Sequence, residues 1–207
     1  MRDILPAVLG DVFSCFSLPG GGVAGEALKA LFRKRADDAR EIMLAAISRG
    51  DIRFSETDAE ESVAIVYRYI RAAQEGAARV NLQLLAQVFC GQARLGLIKA
   101  DEFLYYADVL TPLRRDEILL MGCILRYWNE AVEEESTERM RTATVRSKEA
   151  LIPKVFGDHA EFSAVADGMR RTGFFSTQAL AGGGDLLGPS PILMRLARLA
   201  DFDAVVG

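Results

Sequence analysis

The chain predicts a mainly α fold: a helical bundle followed by a small C-terminal α+β element with one β-hairpin. Three observations carry this reading. Apolar residues recur three and four positions apart over most of the sequence. The segments with that period end at glycines, prolines and capping residues. One stretch of strand character near the C-terminus leads into a glycine-rich tip and a short return run. The 207 residues suit one generous domain or one domain with an appendage. We divide them into an apolar N-terminal segment with a Gly-rich joint (1–23), a helical bundle (24–136) and a C-terminal helix–helix–hairpin–helix element (137–207).

Residues 4–17 form an apolar segment, closed by the break Ser17-Leu18-Pro19-Gly20-Gly21-Gly22. A long helix is expected from Gly25 to Arg49, with Leu28, Leu31, Phe32, Ala39, Ile42, Met43, Ala46 and Ile47 on one side and Gly50 as its stop. Ser55 and Thr57 each have an acid three residues on, the pattern of a capping box for the next helix. That helix carries Val63, Val66, Tyr67, Ile70 and Ala73 and loosens near Gly76. A helix over Ala77–Gln92 ends at Gly96, and a shorter one runs from Lys99 to Leu110. Thr111-Pro112 reads as N-cap and first position of a sixth helix. Its run Ile118–Trp128 is the densest apolar stretch, which places it in the middle of the bundle. The composition shifts at Glu133-Glu134-Glu135-Ser136, where a sub-domain boundary is expected.

Beyond it, Thr137–Phe156 reads as a polar helix becoming amphipathic, and Asp158 caps a helix through Arg171 that Gly173 stops. Phe174–Leu180 reads as a strand, Ala181-Gly182-Gly183-Gly184-Asp185 as a tip and Leu186–Pro189 as a return strand. Ser190-Pro191 opens a last helix to Phe202. This order of helix, helix, Gly-tipped hairpin and helix resembles the outline of a winged-helix module. The resemblance rests on element order alone, without a residue signature, and implies DNA binding through the helix that ends in Arg170 and Arg171. The charge pattern runs against that function. Asp158, Glu161 and Asp167 lie on the helix that would face phosphate, and the tip has Asp185 and no Lys or Arg. The net charge of −4, with neither half strongly basic, points the same way.

The remaining chemistry is sparse. Gly20-x-Gly22-x-x-Gly25 opening a helix has the spacing that lets backbone N–H groups approach a pyrophosphate, so Gly20, Gly22 and Gly25 are the candidate nucleotide or anion site. The alternating strand–helix series of a dinucleotide fold does not follow, and Glu26-Ala27 stand where a nucleotide-triphosphate loop needs Lys and Ser or Thr. No cofactor is assigned. His159 is the single histidine, and the three cysteines, Cys15, Cys90 and Cys123, are widely separated, so neither a metal set nor a catalytic residue is assigned. Cys90 and Cys123 sit in apolar runs and read as core residues, consistent with a reducing compartment. Adjacent acids such as Glu133-Glu134-Glu135 point around a helix and do not converge.

Arg2 followed by Ile4–Leu9 has the outline of a secretion signal, but Asp3 and Asp11 interrupt it and Phe13 is bulky where cleavage needs small residues. No run reaches the ~20 apolar residues of a spanning helix. A cytoplasmic protein is expected. Ile4, Leu5, Val8, Leu9, Val12, Phe13 and Phe16 give a stripe suited to docking on the bundle or on a partner. The expectation for function is a non-enzymatic helical interaction or regulatory protein, self-associating or bound to a protein partner. DNA binding by the C-terminal element and anion binding at Gly20–Gly25 are the alternatives.

Overall fold

The computed structural model describes residues 23–49, 58–180 and 184–206. Over them the chain is mainly helical with one two-stranded antiparallel sheet, so the expected fold class holds. The described residues fall into two compact units that divide between Pro112 and Leu113.

The first unit comprises α1 (Val23–Arg49), α2 (Ala59–Glu75), α3 (Arg79–Leu95) and α4 (Ala100–Leu110). Glycine punctuates it where the periodicity fails. Gly76 and Gly96 end α2 and α3 at φ +101° and +65°, a left-handed geometry that a side chain resists, and their N–H groups close the last turns. The turns after them are short, so neighbouring helices alternate in direction. Polar side chains fix the alignment. Tyr69 Oη donates to the Ala39 carbonyl at 3.1 Å and Arg35 Nη1 to the Gln74 carbonyl at 3.0 Å, setting α1 antiparallel to α2. Asn81 Nδ2 donates to the Leu110 carbonyl at 2.6 Å and Gln92 Nε2 to that of Lys99 at 3.3 Å, setting α3 antiparallel to α4. The Glu61 carboxylate accepts from the Ala100 N–H, and Arg68 pairs with Asp108 at 2.9 Å. The core holds Met43, Ile65, Tyr69, Ile70, Leu85, Phe89, Phe103 and Tyr106.

Burial along α1 is uneven. Over residues 26–35 none of the described side chains is buried, and the first that is buried is Ala36. Ala39, Ile42, Met43 and Ala46 then follow at helical spacing.

The second unit comprises α5 (Arg115–Glu130), α6 (Ser136–Leu151), α7 (His159–Gly168) with a 3-10 turn over Met169–Thr172, the hairpin β1 (Phe175–Ala179) and β2 (Asp185–Pro189), α8 (Pro191–Leu199) and the short α9 (Asp203–Val206). Two expected caps form. Asp158 accepts from the Glu161 N–H at 2.8 Å, and Ser190 Oγ from the Leu193 N–H with Pro191 at the first position of α8. The strands pair in the register Phe175 with Pro189 through Ala179 with Asp185. β2 is the inner strand. Gly188 lies so close to α5 and α6 that an added Cβ would stand 3.0 Å from Met140 Cγ and 3.2 Å from the Trp128 ring, which explains a glycine inside a strand.

Several expectations are corrected. With the two units dividing at 112/113, α5 lies with the C-terminal elements. Its packing partners include α6, α7, α9 and β2, which makes the dense apolar helix the centre of the second unit. Thr111-Pro112 forms a turn, and the helix starts at Arg115, where the Glu117 carboxylate accepts from the Arg114 N–H at 2.8 Å. The polar helix ends at Leu151, five residues before Phe156, because the residue before Pro153 is held in extended geometry. The last long helix ends at Leu199. Ser55, Thr57 and the segment 4–17 lie outside the described residues.

Candidate interaction surfaces

The residues singled out from sequence do not assemble into a reactive centre. Gly20 and Gly22 lie outside the described residues, and Gly25 is inside α1. The described sheet is an antiparallel hairpin, so the parallel strands of a dinucleotide fold are not found among the described residues. His159 is the exposed first residue of α7. Among the described residues no group of three or more His, Cys, Asp or Glu could hold a metal ion. Glu133, Glu134 and Glu135 are all exposed, and Glu134 accepts from the Thr142 hydroxyl at 2.7 Å.

The thiols of Cys90 and Cys123 are free and buried, as their apolar settings predict. Burial pushes the Cys90 thiol up to about 12, against the opposing pull of Arg94 and Arg49. Burial also raises Cys123. A thiol that resists ionisation is a poor nucleophile and a poor metal ligand. The Tyr69 phenol is raised as well, first by burial and then by the neighbouring Cys90.

Arg170 and Arg171 lie in the 3-10 turn and both are engaged by acids of the same unit. Arg170 pairs with Asp167 at 3.1 Å and with Asp185 on β2. Arg171 Nη2 donates to Glu117 at 2.7 Å and its Nη1 to the Gly168 carbonyl. Glu117 is 3 % exposed, so this contact neutralises a buried carboxylate and ties the turn to the start of α5. For either arginine to meet a phosphate, such a partner must be given up. Sequence reasoning missed Glu117 because its partner stands 54 residues away, and nothing in Arg114-Arg115-Asp116-Glu117 marks which charge turns inward.

What the described residues do present is apolar side chains on helix exteriors. In the first unit Leu28 and Leu31 on α1, Val63 and Tyr67 on α2, and Leu104 and Tyr105 on α4 are exposed. Leu28 with Leu31 and Val63 with Tyr67 stand three and four residues apart, the spacing at which a partner helix or groove takes hold, whereas Leu104 and Tyr105 are adjacent. Tyr67 is 50 % exposed, and Tyr105 rests edge-on against the buried Tyr106 ring at 5.5 Å, so its ring is anchored as well as accessible. In the second unit Val132 and Val145 are exposed, and so are four of the five residues of β1. None of the described helices is long and apolar enough to cross a membrane. Comparison of the chain with protein-family models, with curated proteins and with solved structures finds no match.

Proposed function

We propose that this protein is a helical interaction or regulatory protein without catalytic chemistry of its own, and that it self-associates. The observation that carries the reading is the presence of exposed apolar side chains at helical spacing (Val63 with Tyr67, Leu28 with Leu31) beside the buried thiols of Cys90 and Cys123 and the ion-paired Arg170 and Arg171. An aromatic ring held at a surface contributes contact area at small entropic cost, which is why tyrosines anchor interfaces. Burial raises the Cys90 and Cys123 thiols, and carboxylates engage the two candidate arginines. That leaves contact as the activity best supported.

The test is sedimentation velocity and native mass spectrometry on the full-length chain across a concentration series. A concentration-dependent dimer or larger oligomer is the expected result. A monomer up to high micromolar concentration overturns self-association, and a retained mass of nucleotide size overturns the reading as a whole and returns attention to Gly20, Gly22 and Gly25. DNA binding by the C-terminal element draws on its helix–helix–hairpin order alone. A salt-sensitive shift of a DNA pool would establish it, and no shift at low salt would remove it.

A further inference from the structure

The hairpin has one closed edge and one open edge. Two hydrogen bonds fix which is which: Ser190 N–H donates to the Phe174 carbonyl at 2.8 Å and Leu180 N–H to the Gly184 carbonyl at 3.0 Å. In an antiparallel ladder, bonded and non-bonded pairs alternate. Ser176 and Gln178 therefore face β2 with their backbone groups, while Phe175, Thr177 and Ala179 turn theirs away.

The same alternation sends the backbone of Asp185, Leu187 and Pro189 to the far side of β2, and at Leu187, in the middle, it is closed. Leu187 N–H donates to Thr144 Oγ1 at 2.7 Å, and that hydroxyl is buried against the strand from α6. Pro189 has no N–H to leave unpaired. β1 has no such cover. Thr177 and Ala179 are exposed, and no side chain or backbone group among the described residues pairs with their outward N–H and C=O groups.

Natural sheets blunt free edges with lysine, proline, bulges or inward-pointing charge. The run Phe174-Phe175-Ser176-Thr177-Gln178-Ala179-Leu180 has none of these and pairs regularly along its length. We infer that the outer edge of β1 is an interface at which a second copy of this chain pairs its own β1, antiparallel about Thr177, to give a four-stranded sheet.

Two features select a second copy over an unrelated strand. The run carries no charge, so pairing it with itself brings no like charges together, and a two-fold axis at Thr177 sets threonine against threonine, a favourable cross-strand pair. Phe175 of each copy then lies opposite Ala179 of the other, large against small. Because Thr144 closes the far edge of β2, the pairing ends at two copies and yields a closed dimer instead of a filament. This inference rests on the self-association proposed above and names its surface.

The experiment reads amide hydrogen exchange of the full-length chain at low and high concentration, beside sedimentation. Ser176 and Gln178 amides should be protected at both concentrations, and Thr177 and Ala179 amides only at the high one. Thr177→Pro removes an outward donor from each copy while leaving the bonds to β2, and should weaken the dimer about thirtyfold. Thr177→Val keeps the N–H and the branched shape and should dimerise like the natural chain, which controls for a general effect of substitution. A dimer whose Thr177 amide stays unprotected, or that survives Thr177→Pro unchanged, overturns the edge pairing and leaves self-association standing. Protection of Thr177 in the monomer assigns the edge to another segment of the same chain and overturns it too. A chain that never dimerises removes both proposals.

Discussion

The two units solve the same problem with different chemistry. In the first, neutral or charged side chains reach backbone carbonyls of a neighbouring helix: Tyr69 to Ala39, Asn81 to Leu110, Arg35 to Gln74 and Gln92 to Lys99. In the second, many of the links between distant segments are charge pairs: Arg171 with Glu117, Arg126 with Asp203, Arg146 with Glu130 and Arg170 with Asp185. Most of these lie in solvent, where an ion pair contributes little; Glu117 is the buried exception. The difference teaches where each unit is vulnerable. The first depends on shape and on side chains that reach backbone carbonyls, and the second on one carboxylate keeping its counter-charge and on a close fit around β2.

Four changes would break or sharpen this contrast. Phe103→Ala empties a fully buried site in the first unit and should cost about 3–5 kcal/mol. Urea denaturation checks the size, and the loss should be equal at low and high salt because no charge is involved. Arg171→Ala strips the buried Glu117 carboxylate of its counter-charge and should cost about 2–3 kcal/mol in the second unit. A loss no greater than that of Arg141→Ala, which ends only an exposed pair with Glu138, would refute the special standing of Glu117.

Gly188→Ala pushes a methyl group against Met140 and Trp128 and should cost about 1–2 kcal/mol, moderated by the flexible methionine. Tryptophan fluorescence should shift with it, since the chain has a single tryptophan. The smallest effect is on pH dependence. The folded Cys90 thiol keeps its proton up to about 12, whereas its ordinary value is 9.0. Between those values the unfolded chain binds fewer protons than the folded one, so stability is full below about pH 9 and falls as pH rises. From this thiol alone the loss between about pH 8 and pH 10 should be about 1 kcal/mol, and Cys90→Ala should flatten that limb of the curve.

Much of this fold was legible because local chemistry dictates it. Gly76, Gly96 and Gly173 stop helices where the sequence places them, and Asp158 and Ser190 cap the helices they precede. The hairpin was legible from its uncharged run and glycine tip. The packing of α5 was not. The run of acids at Glu133–Glu135 looked like a boundary, yet α5 and α6 pack together across it, because a solvated loop and a domain border share the same composition. Thr111-Pro112 looked like a helix start, but the helix begins three residues after Pro112, at Arg115, where Glu117 caps the Arg114 N–H. Of the candidate sites, Arg170 and Arg171 were legible as exposed charge and illegible as ion-paired, since Asp185 and Glu117 come to them only through the tertiary fold. The open edge of β1 was equally hidden, because alternation in the ladder, and not residue type, decides which amides face outward.

The uneven burial of α1 has a consequence for limited proteolysis. A protease needs several residues of extended chain, so a helix resists cleavage only to the extent that unravelling it is costly. Lys29, Arg33, Lys34 and Arg35 lie in the stretch with no buried side chain among those described, and Arg40 lies between buried Ala39 and Ile42. Brief trypsin digestion should therefore clip α1 in its first half and spare Arg40. The clip would leave a fragment whose new N-terminus falls at or just before Ala36, where the core takes hold of the helix.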